Sequence, residues 1–273
     1  MLRTRVITAL ALMPVVLGML FFARGYAWAA FAGLIALVGC WEWSRMSGFA
    51  PMAQRAFLVA SGSIGGALLA LYLLSPMRLY PPIAQALLWS AAVFWIVAVP
   101  LWLARGLRPS PWLVGAAGWL ALWPFWVALV DLRDRHVLLL LGAAVVVWIA
   151  DIAAYFAGRA FGRHKLAPAI SPGKTWEGVY GAFVAVLAYG LAVLAWATEG
   201  APTPWWLVFL GALAVLTATS VTGDLFESWI KRGAGVKDSS NLLPGHGGVL
   251  DRIDALTSTL PVAALLASLK GST

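Results

Sequence analysis

Nine stretches of the chain run apolar for about the length that a helix needs to cross a bilayer, roughly 20 residues, with polar residues gathered between them. They lie near residues 5–22, 27–44, 57–74, 83–104, 112–130, 137–157, 176–197, 205–223 and 255–269, the last of them short. The pattern predicts an all-α polytopic membrane protein of about nine transmembrane helices. The first stretch has a competing reading as a cleaved signal peptide, because Arg3 and Arg5 precede it and small residues follow at Ala27–Ala30. Its length, and the second span that follows almost at once, argue for a membrane span instead.

Composition supports the same class. With 62% hydrophobic and 11% charged residues in 273, an ordinary water-soluble domain is excluded. The formal charge of +8 raises the question of nucleic acid. The basic residues are spread over short inter-helix loops, however, so no nucleic-acid partner is expected and the positive-inside effect explains the charge.

Arg3, Arg5, Arg45, Arg55, Arg105, Arg108, Arg159, Arg163, Lys165, Lys174, Lys231, Arg232, Lys237 and Arg252 fall at the N-terminus and in the loops after spans two, four, six and eight. Arg24, Arg78, Arg133, Arg135 and Lys270 fall on the other side. This asymmetry predicts a cytoplasmic N-terminus and an external C-terminus. The lone Cys40 sits in an apolar stretch, which excludes an internal disulfide and predicts a small lipid- or core-facing residue. Trp28, Tyr72, Trp112, Trp205 and Trp206 lie near span ends and read as an interfacial aromatic belt.

Candidate chemistry is confined to the second half. The chain divides into residues 1–136, an N-terminal helical region of about five spans, and residues 137–273, a region of about four spans with cytoplasmic loops 158–175 and 224–254. Glu42, near the end of span two, has Arg45 one turn away and reads as half of a local ion pair. Asp151 and Tyr155 are four apart at the end of span six and share a helix face. A carboxylate there is expensive against lipid and is expected to point into the bundle.

In Ser171-Pro-Gly-Lys174-Thr-Trp-Glu177-Gly178, Ser-Pro-Gly predicts a turn, with a helix starting near Thr175. Backbone N–H groups and Lys174 would converge there as a phosphate seat. A helix start capped by Thr175 with an early Glu177 is the plainer alternative. Farther on, Asp224, Glu227, Ser228 and Lys231 recur at three- and four-residue intervals, so a continued helix shows all four on one stripe. Asp251 and Asp254 repeat the i, i+3 spacing. Carboxylates from two helix ends can share a Mg²⁺ ion, while Lys174, Lys231, Arg232, Lys237, Arg252 and His246 suit a polyphosphate. The glycines of Pro244-Gly-His246-Gly247-Gly248 predict a close backbone approach to something.

The run from Ser228 to Asp254 resembles the pattern of the phosphatidate cytidylyltransferase (CDP-diacylglycerol synthase) family. That pattern reads S-x-x-K-R, four residues, K-D, a small residue, P/G-x-H-G-G and D-R-x-D. Ser228, Lys231, Arg232, Lys237, Asp238, Ser240, Pro244, His246, Gly247, Gly248, Asp251, Arg252 and Asp254 occupy its fixed positions. The segments around Asp151, Tyr155 and Gly158 and around Ser171, Lys174 and Glu177 are similar to the family too.

The resemblance implies a Mg²⁺-dependent transfer of the cytidylyl group from CTP to phosphatidic acid, with Asp224 and Asp251 as metal ligands around one or two cations. It also implies a homodimer; the expected place is a bacterial-type inner membrane, with the active site facing the cytoplasm as the charge asymmetry requires. In the mechanism expected on that basis, Asp254 serves a second shell or second metal. Lys231, Arg232, Lys237 and Arg252 divide between the triphosphate and the lipid phosphate, and Lys174 approaches from its own loop. Asp151, Tyr155, Ser171, Glu177, Ser228, Asp238, His246, Gly247 and Gly248 complete the substrate-binding set. The alternatives are a membrane transporter with a cytoplasmic-side ion site and a CDP-alcohol phosphotransferase, whose longer D-G-x-x-A-R array is absent.

Overall fold

The computed structural model describes residues 2–107, 109–197 and 205–270. Arg108 lies outside them, and the side chains of Arg3, Arg5 and Lys270 are likewise not described. Helix α1 spans Leu2–Phe22, α2 Gly25–Met46, α3 Pro51–Leu74, α4 Tyr80–Arg105, α5 Pro111–Arg135 and α6 Val137–Phe161. After a short hairpin, β1 Lys165–Ala167 and β2 Ser171–Thr175, come α7 Trp176–Ala197, α8 Trp205–Gly233 and α9 Leu250–Lys270. Eight of these helices, α2 to α9, are long and apolar enough to cross a membrane. In α1 the apolar part is the shorter segment Leu10–Phe22.

Where the chain starts its helices, the sequence shows why. Pro51 and Pro111 sit at first-turn positions where a missing N–H costs nothing, and the Ser110 hydroxyl accepts from Leu113 N to cap α5. Within α4 the turn Phe94–Ala98 opens into a π-helix, with Val99 N donating to Phe94 O. Pro100 follows directly, and its ring cannot accept the ordinary helical geometry against the carbonyl four residues back.

The hairpin is a departure from the all-α expectation. The turn falls at residues 168–170, where Ile170 N donates to Ala167 O, and not at Ser171-Pro-Gly, which runs extended as β2. Its physical cause lies next door: α6 and α7 pack through Gly158, Gly178 and Gly181 so closely that a Cβ on Gly178 would stand 2.8 Å from Ala154 O. With the two helices pressed together there, their connection must fold back on itself.

The core is one cluster drawn from both halves of the chain. Helix α9 packs against α4 and α5, so residue 136 marks no packing boundary. Trp28 Nε1 donates to Leu129 O and Trp126 Nε1 to Ala29 O, each at 2.9 Å, and Trp43 Nε1 donates to Val114 O at 2.7 Å. These reciprocal bonds lock α2 to α5. They also correct the aromatic-belt reading of Trp28, which is buried with Arg133 lying 5.4 Å over its ring. Tyr72 donates instead to Asp134, while Trp112 and Trp205 are exposed as a belt requires. Cys40 faces the core.

Candidate active site

The rotation of α8 is set by one side chain. Phe226 is fully buried and touches the rings of Trp43, Phe94, Trp95, Trp102 and Trp229 at centroid distances of 5.4 to 6.3 Å. Each such pair contributes about 0.5–1.5 kcal/mol beyond its buried area. With Phe226 held in that nest, the stripe of Asp224, Glu227, Ser228 and Lys231 turns toward β2 and α9. The helix continues unbroken through the stripe to Gly233.

Two lysine–aspartate pairs organise what the stripe meets. Lys231 Nζ lies 2.7 Å from Asp251 Oδ1 on α9 and 3.1 Å from Glu227 Oε1. The other oxygen of Asp251, Oδ2, accepts from Ser239 N at 2.8 Å, Ser239 Oγ at 3.0 Å and Gly248 N at 2.8 Å. Lys231 and Asp251 are only 10% and 5% exposed. The second pair, Lys174 Nζ to Asp224 Oδ2 at 2.6 Å, is open, at 24% and 31%. Ser228 Oγ leans toward Asp224 Oδ1 at 3.4 Å.

Lys174 is brought there by the hairpin. Thr175 caps α7 by accepting from Gly178 N, and Glu177 accepts from His164 N and pairs with the His164 ring at 2.7 Å. Glu177 therefore braces the hairpin that carries Lys174, and Lys165 pairs in register with Thr175. Asp151 and Asp254 both interact electrostatically with Asp224 and Lys174. Five carboxylates (Asp151, Asp224, Glu227, Asp251 and Asp254) thus share two lysines. Glu227 is 3% exposed, and Lys231 at 3.1 Å is its ion-pair partner among the described residues.

The remaining predicted residues stand farther out. Lys237 and Asp238 are exposed on the loop after α8, Arg252 is exposed beside Asp251, and Arg232 donates to Val236 O. Tyr155 is 59% exposed, and its hydroxyl accepts from Arg159. Ser171 begins β2 and is half-buried. His246 is held in its turn by its own N–H to Leu243 O, with Nδ1 buried and unbonded.

The close approach foreseen at the glycines is made by the protein's own carboxylates. A Cβ on Gly247, where φ is +83°, would stand 2.7 Å from Asp251 Oδ2, and one on Gly248 would collide with Ser239 Oγ and Glu42 Oε1. Beside this turn a cavity of about 280 Å³ is lined by Arg45, Met46, Val236, Asp238, Ser239, Ser240 and Asn241.

Glu42 is the residue that sequence reasoning misplaced. It forms no pair with Arg45, which lies 5.1 Å over the ring of Trp41. Glu42 is 0% exposed and reaches across to the loop before α9. Its partners are about two hundred positions away in the chain, so no local spacing could have revealed them.

The site lies in a chain whose likeness to known proteins is nearly complete. The model of the cytidylyltransferase family matches residues 3–269. The chain belongs to that family. It is 45% identical over 272 residues to a phosphatidate cytidylyltransferase of Pseudomonas aeruginosa, covering 97% of each. It is 37% identical over 281 residues to one of Haemophilus influenzae, covering 96% of each. A Brucella suis relative of the same name is 54% identical over 121 residues, 44% of this chain and 42% of its own.

Proposed function

We propose that this membrane protein transfers the cytidylyl group of CTP to phosphatidic acid, giving CDP-diacylglycerol and pyrophosphate. The observation that carries it is that the likeness to phosphatidate cytidylyltransferases spans both lysine–aspartate pairs together with the helices that build them. No observation favours the transporter alternative.

A phosphate oxygen of phosphatidate attacks the α-phosphorus of CTP. The new P–O bond forms as the bond to the bridging α,β-oxygen breaks, and pyrophosphate carries away the electron pair. A phosphomonoester, with a second pKa of about 6, is already ionised near neutral pH. The protein therefore needs no strong base, and positioning plus charge neutralisation carry the step.

Mg²⁺ fits the donor set. Five carboxylates against two lysines would repel a triphosphate, and Mg²⁺ prefers one or two carboxylate ligands with the rest of its shell from water and phosphate. Among the described residues no three His, Cys, Asp or Glu converge as a metal cluster, so most of the ion's shell would have to come from water and the substrate phosphates. Asp224, the open member, would hold the ion. Asp254 stands as its neighbour, and Asp251 has only Oδ1 to offer beside Lys231. When bound, the ion neutralises charge on the α-phosphate and on the departing pyrophosphate.

Lys174 would turn from Asp224 to phosphate, Lys231 would present its charge to phosphate from its place beside Asp251, and Arg232, Lys237 and Arg252 would receive the anions at the rim. The cavity beside Ser239 is polar and large enough for a nucleobase. The acyl chains of phosphatidate stay in the bilayer while its headgroup enters between α6, α7 and α8. The site faces the cytoplasm of a bacterial inner membrane on this reading. The basic asymmetry of the loops supports that sidedness, and Thr8 of α1, which donates to Pro244 O, would share it with the loop 234–249. A homodimer completes the proposal on the strength of the resemblance.

The test is pyrophosphate release by the purified protein in detergent with CTP and Mg²⁺. Release that depends on phosphatidate, and is not restored by diacylglycerol, is expected. Release that ignores the lipid would overturn the assignment.

A further inference from the structure

Glu42 is fully buried, and among the described residues no lysine, arginine or histidine forms an ion pair with it. A buried carboxylate is an expensive way to fill space, so its partners must explain it. Oε1 accepts from Ser240 Oγ at 2.5 Å and Val249 N at 2.9 Å. Oε2 accepts from Leu250 N at 2.7 Å and Ser239 Oγ at 3.1 Å. Val249 and Leu250 supply N–H groups that the start of α9 leaves without helical partners, where negative charge is favoured.

We infer that Glu42 is a positioning residue for the transfer, tying α2 to the start of α9 and fixing Asp251 through Ser239. The inference rests on the transferase reading above. Ser239 Oγ lies within bonding distance of both Glu42 Oε2 and Asp251 Oδ2 but carries a single proton. The two carboxylates are therefore linked at one hydroxyl, and moving either changes what holds the other. Ser239 and Ser240 also line the cavity beside Asp251, so the same clamp sets the wall against which the nucleotide would lie. Gly248 is the only residue that fits between the clamp's oxygens, because any Cβ there would strike both Glu42 and Ser239.

The experiment compares Glu42→Gln and Ser239→Ala with the full-length wild type, purified in detergent and measured per folded molecule. Glu42→Gln keeps the shape but turns an N–H₂ toward a backbone N–H that needs an acceptor. Turnover should fall roughly 100-fold, the cost of displacing a catalytic group by about an ångström, with a raised KM for CTP. Hydrogen exchange of residues 238–250 should become faster. Ser239→Ala retains every backbone donor and should lower turnover about tenfold, the low end for losing a partner that orients a functional side chain.

Ser44→Ala, which removes another buried hydroxyl from α2, serves as the stability control and should leave both kinetic constants unchanged. If Glu42→Gln does not accumulate as folded protein, Ser239→Ala decides. Wild-type kcat and CTP KM in Ser239→Ala, or loop exchange unchanged in a folded Glu42→Gln, would overturn the inference. A wild type that releases no pyrophosphate would sink the transferase reading instead, and loop exchange would still judge the clamp.

Discussion

The two lysine–aspartate pairs look alike in sequence and differ in kind. Lys231–Asp251 is closed: both side chains are nearly buried, and four donors engage the aspartate. Lys174–Asp224 is open, a quarter to a third exposed, and its lysine arrives on a hairpin outside the helix bundle. A buried pair stripped of one partner leaves an uncompensated charge, whereas an exposed pair contributes little to stability. The closed pair therefore shapes the site, and the open pair is the part that can exchange a protein partner for a cation or a phosphate.

That contrast is broken or sharpened by substitution, beginning with the closed pair. Asp251→Asn should abolish turnover by about a thousandfold or more and also destabilise the protein by about 1–3 kcal/mol, because Lys231 keeps only Glu227 as a counter-ion and the buried donors of Ser239 and Gly248 lose a charged acceptor. A thermal-shift measurement beside the activity assay checks both effects, and an unchanged melting temperature would show the pair to be less structural than its bonds suggest. Asp224→Asn should cost about 10²–10³-fold in turnover, the range for losing one preorganised electrostatic group. Its melting temperature should stay near that of the wild type, since exposed pairs are worth about 0–1 kcal/mol.

Gly248→Ala should follow at about tenfold to a hundredfold, with a stability loss of about 1–3 kcal/mol from overpacking against the Glu42 clamp. Lys174→Ala should lower kcat/KM for CTP about tenfold while leaving the fold intact, as removal of a single exposed phosphate partner would. At the other end of the bundle, Arg135→Ala breaks only an i, i+4 pair with Asp131 and should change CTP kinetics less than about twofold. A marked rise in KM there would contradict the assignment of CTP to the Asp224 end.

What sequence could show was decided by range. The membrane helices were legible because an apolar run of about 20 residues is a local fact, and the stripe from Asp224 to Lys231 because helical spacing repeats every three to four residues. The closed and open characters of the two pairs were not legible, since they depend on which donors the loop 234–249 brings back to α9. Trp28 was read as an interfacial residue because it stands near a span end. Its bond to Leu129 O, on a helix about a hundred positions away, is what makes it core. The hairpin escaped because Ser171-Pro-Gly signals a turn, and only the close packing of α6 on α7 moves that turn to residues 168–170. Glu42 was misjudged for the same reason as Trp28: a nearby Arg45 supplied a plausible local partner, while the true ones lie in the opposite half of the chain.

Transfer of label tests the central claim most directly. With CTP labelled at the α-phosphate, purified protein, phosphatidate and Mg²⁺ should move the label into lipid, one labelled CDP-diacylglycerol for each pyrophosphate released. Label that remains in water-soluble nucleotide while pyrophosphate accumulates would contradict the account.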